Sequence, residues 1–175
     1  SQYTTLSIVR DPIDRFVSAW NMYKDPPEYQ KDNKLLYKVR ERYSELFDLD
    51  INEFITLENL HQLCSDQDAF HFWPIMCFYC TYGSKNGKNE SFLFDTAVNN
   101  IQDVTIVAPK IILNFDSLEN DFKLLSEFYG FEFDKLPRRN HSKPYKTGLT
   151  QESYLLLKSY FRFDSMLIDG FLKQI

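Results

Sequence analysis

The sequence predicts an α/β protein in which a parallel β-sheet is flanked by helices. An apolar, β-branched run ends at Arg10, and a helix signal begins directly afterwards at Pro12. Further strand-like runs follow a long helix-rich stretch, near residues 105–107 and 111–115. Helices that connect strands in this way are typical of parallel sheets, so we expect residues 1–175 to form a single domain of this class.

The composition narrows the range of functions. Hydrophobic residues make up 43% of the chain and aromatic residues 17%, which indicates a folded protein with a substantial core. The net charge of −5 argues against nucleic acid as the main partner. No apolar stretch is long enough to span a membrane.

The cysteines predict neither a disulfide framework nor a metal site. Cys64, Cys77 and Cys80 are an odd count, and Cys77 and Cys80 are spaced like half of a zinc site that no second pair completes. We interpret them as buried thiols and expect no metal.

The stretch from Ser7 to Trp20 has the features of an anion site. Arg10 is predicted at the carboxyl end of a strand, Asp11 as a helix cap and Pro12 at the first helical position. Ser18 is expected two turns into this helix, on the side away from its apolar face, which consists of Ile13, Phe16, Val17 and Trp20. A guanidinium, a helix N-terminus and a hydroxyl donor suit a phosphate group.

Residues 10–18, RDPIDRFVS, resemble the 3′-phosphate-binding motif of sulfotransferases that use 3′-phosphoadenosine 5′-phosphosulfate (PAPS). The closest likeness is to the RDPxxRxxS version found in carbohydrate sulfotransferases. The resemblance implies a P-loop-NTPase-like sheet, PAPS as sulfuryl donor, a carbohydrate acceptor, and Arg10 and Ser18 as ligands of the 3′-phosphate, with Arg15 as the middle arginine. The alternative is a strand–loop–helix with an ordinary surface ion pair.

Members of that family carry an earlier strand and a loop rich in Lys, Gly, Ser and Thr, which binds the 5′-phosphosulfate. No such loop precedes Arg10, and the Gly/Lys/Ser stretch at residues 83–89 comes after it and is interpreted as a turn. We therefore expect the chain to be the C-terminal portion of a sulfotransferase. The general base of this family often lies upstream of the motif, so we assign none here and name His71 as a candidate.

Further helices are predicted from apolar spacing and capping residues. Their expected ranges are 12–23, 34–47, 51–63, a helix from near 118 to Gly130, 150–160 and 166–172. In the helix that ends at Gly130, we expect a buried face of Leu118, Phe122, Leu125 and Phe128. The segment from Asn114 to Leu118 matches the end of a strand with an acidic-x-Leu pattern in the resembled family. We interpret this segment as scaffold and not as part of the catalytic site.

His71 lies among aromatic residues, in the step His71-Phe72-Trp73-Pro74. Carbohydrate sulfotransferases often have a His-x-x-Pro step at this point, near the acceptor site. Ile75 replaces the Gln that usually follows. A core histidine is the other interpretation, and the commoner meaning of a lone His among aromatic rings.

The loop from Leu136 to Gly148 is basic in an otherwise acidic chain, and its two prolines argue against a helix. It offers cations and hydroxyl donors to an anion. In the resembled family the equivalent loop folds over the nucleotide. This implies that Asn140, Ser142, Lys143 and Lys146 contact the cofactor, although a solvated basic loop is the alternative.

Two rival functions are weighed against sulfuryl transfer. A kinase-like P-loop protein would need a phosphate loop of the Walker type, which the sequence does not show. A catalytically inactive module that binds a glycan or a nucleotide stays open. The compartment also stays open, because animal members of the family work in the Golgi lumen and bacterial ones in the cytoplasm; the unpaired cysteines lean slightly to the latter. Nothing in the sequence indicates an oligomeric state.

Overall fold

The computed structural model describes residues 6–74, 80–82, 104–106, 109–136 and 148–172. The α-helices in these ranges are α1 (Pro12–Lys24), α2 (Lys34–Arg42), α3 (Ser44–Asp48), α4 (Ile51–Phe54), α5 (Leu57–Ser65), α6 (Leu118–Tyr129), α7 (Gln151–Tyr160) and α8 (Arg162–Leu172). The strands are β1 (Leu6–Val9), β2 (Cys80–Tyr82), β3 (Val104–Ile106) and β4 (Ile111–Asn114). Short 3-10 helices occupy Glu28–Gln30, Gln67–Phe72 and Phe115–Ser117.

The pairing of β1 with β4 is parallel, as an α/β fold requires. Leu6 pairs with Ile111 and Val9 pairs with Asn114. The carboxyl ends of both strands therefore meet at one edge, where ligands bind in folds of this kind. The strands β2 and β3 pair with each other in antiparallel fashion, an arrangement that the sequence did not predict.

Helix α1 forms where the sequence predicted it. The Asp11 carboxylate accepts hydrogen bonds of 2.9 Å from the backbone N–H groups of Ile13 and Asp14. Pro12 occupies the first helical position, where its missing N–H costs nothing. The helix thus begins directly behind Arg10 and points its N-terminus towards the carboxyl edge of the strand pair.

Two helices that were predicted as continuous are each divided in the structure. Tyr43 separates α2 from α3, with φ −117° and ψ 30°, and its hydroxyl donates to the Asp66 carboxylate at 2.7 Å. Ile55 and Thr56 separate α4 from α5, and the Thr56 hydroxyl accepts from the Asn59 N–H to start the new helix. A buried side chain lies at each break, Tyr43 at the first and Ile55 at the second, and the second break also has the Thr56 cap. These contacts outweigh the helical periodicity of the sequence.

The main core consists of aromatic rings that α1 shares with the helices packed around it. Tyr23 stacks on Phe47 at 5.4 Å and on Phe72 at 5.3 Å between ring centroids. The fully or almost fully buried aromatic side chains of this cluster are Phe16, Trp20, Tyr23, Phe47, Phe54, Phe72 and Phe161. Burial of each of these side chains contributes on the order of 2 kcal/mol of hydrophobic stabilisation. This cluster therefore holds α1 in place.

The expected buried face of α6 is wrong in one residue. Phe128 is 82% exposed, whereas Leu118, Phe122 and Leu125 are half-buried. Residues four apart share a helix face, so Ser126, which is 7% exposed, continues the stripe from Phe122. Phe128 instead packs edge-on against its neighbour Tyr129.

The start of α7 is anchored to α4. The Asn52 side-chain oxygen accepts from the Thr150 N–H at 2.8 Å, and its amide donates to the Gly148 carbonyl at 3.2 Å. Thr150 caps α7 through a hydrogen bond from the Ser153 N–H, as expected. Within the described ranges, we find no helix with the length and apolarity needed to cross a membrane.

Helix α6 ends at Gly130, which adopts a left-handed conformation with φ 70°. We expect Gly130→Ala to lower the free energy of unfolding by about 1 kcal/mol, because an L side chain is strained there. Gly170, inside α8, has open space around the position of a Cβ and serves as the matched control. Gly170→Ala is expected to raise stability by about 0.5–1 kcal/mol in urea denaturation, and the opposite order of the two variants would refute this account.

Candidate functional site

Arg10 leaves the sheet at the carboxyl edge, directly after the fully buried Val9. Its guanidinium carbon lies 4.6 Å from the centre of the Phe115 ring. Its Nε is buried and has no hydrogen-bond partner among the described residues. Arg10 therefore presents a positive charge and at least one unsatisfied donor at this edge.

Ser18 lies on α1, two turns after the N-terminus, and is half-buried. The helical repeat puts it on the same face as Arg15 and the cap Asp11, which precede it by three and seven positions. This face is distinct from the one that carries Phe16 and Trp20 into the core. The position agrees with the expectation that Ser18 points away from the apolar side.

Arg15 connects α1 to the segment around His71. Its Nη2 donates a hydrogen bond to the backbone carbonyl of Trp73. Trp73 in turn donates from Nε1 to the Asp66 carbonyl at 2.8 Å. Arg15 thus fixes the chain after the second 3-10 helix against the face of α1 that carries Ser18. Its predicted contact with a phosphate stays a prediction.

His71 is packed between aromatic rings. It stacks on Phe70 at 4.1 Å between ring centroids, and its Nδ1 lies 3.0 Å from the Tyr23 hydroxyl. Burial lowers the pKa of the imidazole below its usual value of 6.5, and the positive charge of Arg15 lowers it further. His71 is therefore neutral at pH 7, which is the form that a general base requires.

A polar network holds the 3-10 helix that carries His71. The Asp66 carboxylate accepts hydrogen bonds from Arg42, from the Tyr43 hydroxyl and from the Asp68 N–H. Asp68 accepts from Arg42 at 2.7 Å and pairs with Lys38 at 2.8 Å. The network fixes the N-terminal end of Gln67–Phe72 onto α2.

The charges of this network are reflected in its pKa values. Burial alone would raise the pKa of Asp66, but the hydrogen bonds from Tyr43, Arg42 and the Asp68 N–H outweigh it and lower the pKa below its ordinary value. Burial, together with the negative charges of Asp66 and Asp68, raises the pKa of Tyr23 to about 12. Tyr23 therefore keeps its proton beside His71 throughout the physiological range.

Of the predicted cofactor-binding loop from Leu136 to Gly148, only the first and last residues belong to the described part of the chain. Asn140, Ser142, Lys143 and Lys146 lie outside the described residues. The structure does place the residues that follow the loop, because Asn52 anchors Gly148 and Thr150 beside α4.

One residue of the site was missed by sequence reasoning. Phe115 was interpreted as scaffold, yet its ring lies against the Arg10 guanidinium. Phe115 directly follows β4, just as Arg10 directly follows β1. This shared position could have indicated their contact, but only with the knowledge that the two strands pair.

Comparison with models of known protein families identifies the family of this chain. A family model described as the sulfotransferase family matches residues 1–165. This chain belongs to the sulfotransferase family. Neither the search of curated proteins nor the search of solved structures gave a match.

Membership indicates a transferase that moves a sulfuryl group from a sulfate donor. Charge develops on the oxygens of the transferred group and on the leaving group, so cations that are fixed before the reaction provide most of the stabilisation. Among the described residues, Arg10 offers a cation at the carboxyl edge whose buried Nε has no hydrogen-bond partner, which is a place where an anionic group of a sulfate donor can bind.

The network around Asp66 is expected to be the main support of the His71 segment. Asp66→Ala leaves Tyr43, Arg42 and the Asp68 N–H without their shared acceptor, so the free energy of unfolding should fall by about 2 kcal/mol in urea denaturation. Asp48→Ala, at an exposed position, should change it by less than about 0.5 kcal/mol. Equal effects of the two substitutions would contradict the role given to Asp66.

The lowered pKa of His71 predicts how stability varies with pH. Between its depressed folded pKa and its usual value of 6.5, the unfolded chain binds a proton that the folded chain does not. The stability that this group contributes is therefore complete above pH 6.5 and is lost as the pH falls below it. The difference in unfolding free energy between wild type and His71→Gln should shrink from pH 7.5 to pH 5.5, and parallel curves would contradict this reading.

Proposed function

We propose that this sulfotransferase uses PAPS as its donor and transfers the sulfuryl group to a hydroxyl of a carbohydrate. Arg10 and Ser18 bind the 3′-phosphate of the donor, with Arg15 on the same helix face. The basic loop closes over the nucleotide through Asn140, Ser142, Lys143 and Lys146. No metal takes part in this proposal.

The observation that carries the proposal is the state of Arg10. An arginine whose Nε is buried without a hydrogen-bond partner is costly unless a ligand or an ordered water satisfies it. Its guanidinium rests on an aromatic face, and no described carboxylate forms a salt bridge with it. A phosphate monoester fits this position because guanidinium and phosphate form charge-assisted hydrogen bonds of good geometry.

The N-terminus of α1 supports the same ligand. Its partial positive charge favours an anion, and it begins at the edge where Arg10 leaves the sheet. Ser18 adds a hydroxyl two turns further along the same helix. A ligand held by Arg10 and Ser18 is thus tied to both the sheet and the helix.

The reaction is an in-line displacement at sulfur. The acceptor oxygen forms a bond to sulfur as the bond from sulfur to the 5′-phosphate oxygen breaks, and 3′-phosphoadenosine 5′-phosphate (PAP) leaves. The acceptor proton passes to a base. Among the described residues, the neutral imidazole of His71 is a candidate, although its Nδ1 is already engaged with Tyr23.

The carbohydrate acceptor is proposed from the likeness of the RDPxxRxxS pattern and of the His71–Pro74 step to carbohydrate sulfotransferases. Rings such as Phe70 and Trp73 suit the apolar faces of sugars, and both are only half-buried. Transfer from PAPS labelled in its sulfuryl group, measured against carbohydrates and against phenols, tests the acceptor class. PAP binding without transfer to any acceptor would favour the inactive binding module instead.

Binding of PAP tests the donor site. Arg10→Ala should weaken PAP binding by roughly 10- to 100-fold in calorimetry, because a charge-assisted hydrogen bond contributes about 1.5–3 kcal/mol. Ser18→Ala should weaken it by about 5- to 10-fold. Neither change should affect adenosine 5′-phosphate (AMP), which lacks the 3′-phosphate.

Arg40→Ala is the matched control, since it also removes one positive charge. Arg40 donates to the Lys24 carbonyl, at the end of α1 that lies about 18 Å from its N-terminus. It should leave PAP binding unchanged. Equal affinity of the wild type for PAP and AMP, or equal losses in the Arg10 and Arg40 variants, would overturn the proposal.

A further inference from the structure

Phe115 and Arg10 are brought together by strand register. Val9 pairs with Asn114, so the residues that follow them leave the parallel strands side by side at the carboxyl edge. Phe115 opens the 3-10 helix Phe115–Ser117, and Arg10 leads into α1. The register of the sheet therefore places these two residues next to each other.

The Phe115 ring has no role in the core. It is 46% exposed, and its ring face is directed to the Arg10 guanidinium at 4.6 Å. An aromatic face attracts a guanidinium through its quadrupole and leaves the in-plane N–H groups available. A carboxylate at the same place would occupy those N–H groups and repel an anion. Phe115 thus orients the cation without competing for its ligand.

The backbone on both sides of Phe115 is held. The Asp121 carboxylate, on α6, accepts from the Asn114 N–H at 2.8 Å. The Asn114 side chain accepts from the Asp116 N–H at 3.1 Å. The ring is consequently presented from a fixed turn, as a platform for the guanidinium must be.

We propose that Phe115 is a positioning residue for Arg10 and that it sets the preference of the site for nucleotides with a 3′-phosphate. The inference rests on the proposed function, in which Arg10 binds that phosphate. Phe115 acts by restricting the plane of the guanidinium before the ligand arrives, which lowers the conformational cost of binding.

The ratio of PAP affinity to AMP affinity measures this role. Phe115→Leu, which keeps an apolar side chain but removes the ring face, should reduce the ratio by about 3- to 10-fold. Phe115→Tyr and Phe115→Trp keep a ring face and should restore it. A merely structural role of Phe115 would lower both affinities together and leave the ratio unchanged.

Phe128→Leu is the matched control. Phe128 lies on α6 and is 82% exposed. Among the described residues, no cation lies over its ring. The control should leave the ratio at its wild-type value. Melting temperatures of all variants, which should stay near that of the wild type, verify that the binding data come from folded protein.

The combination of Phe115→Leu with Arg10→Ala separates the two proposals. If Phe115 acts through Arg10, Phe115→Leu has no further effect on the ratio once Arg10 is removed. A wild type that does not prefer PAP, or an unchanged ratio in Arg10→Ala alone, defeats the proposed function. A ratio that falls in Arg10→Ala but not in Phe115→Leu defeats the positioning role and leaves the donor site intact.

Discussion

The parallel register of β1 and β4 is the constraint on which the candidate site depends. It places Val9 opposite Asn114 and therefore Arg10 beside Phe115. A slip of one residue would turn every side chain of β1 to the other face and bring Val9 out of its contact with Ile168 of α8. The packing of α8 and the hydrogen bond from Asn114 to Asp121 hold the strand pair in the register that assembles the site.

Helix α1 joins the core to the site. One side buries Phe16, Trp20 and Tyr23 in the aromatic cluster, and the side that carries Arg15 and Ser18 stays partly accessible. Because the helix is rigid, the packing of its buried rings also fixes the positions of the groups on its other face. The buried aromatic rings of this sulfotransferase thus stabilise the fold and also fix the position of the Ser18 hydroxyl and of the N-terminus of α1.

The segment around His71 is placed by polar contacts instead of by regular structure. Asp66 gathers hydrogen bonds from Arg42, Tyr43 and Asp68, and Arg15 holds the following turn through the Trp73 carbonyl. The same surroundings keep His71 neutral, because burial and a nearby guanidinium both disfavour a second positive charge. The imidazole of His71 is therefore uncharged at pH 7.

Local signals in the chain were sufficient for the strand that ends directly before Arg10, for α1 with its Asp11 cap, for the end of α6 at Gly130 and for the start of α7 at Thr150. Those features depend on neighbours within a few residues, and the RDPxxRxxS pattern named the family from the same short stretch. The breaks at Tyr43 and Ile55, the exposure of Phe128 and the partnership of Phe115 with Arg10 came only from the folded chain. Each of these depends on a contact between residues far apart in sequence, where burial and strand pairing override local periodicity.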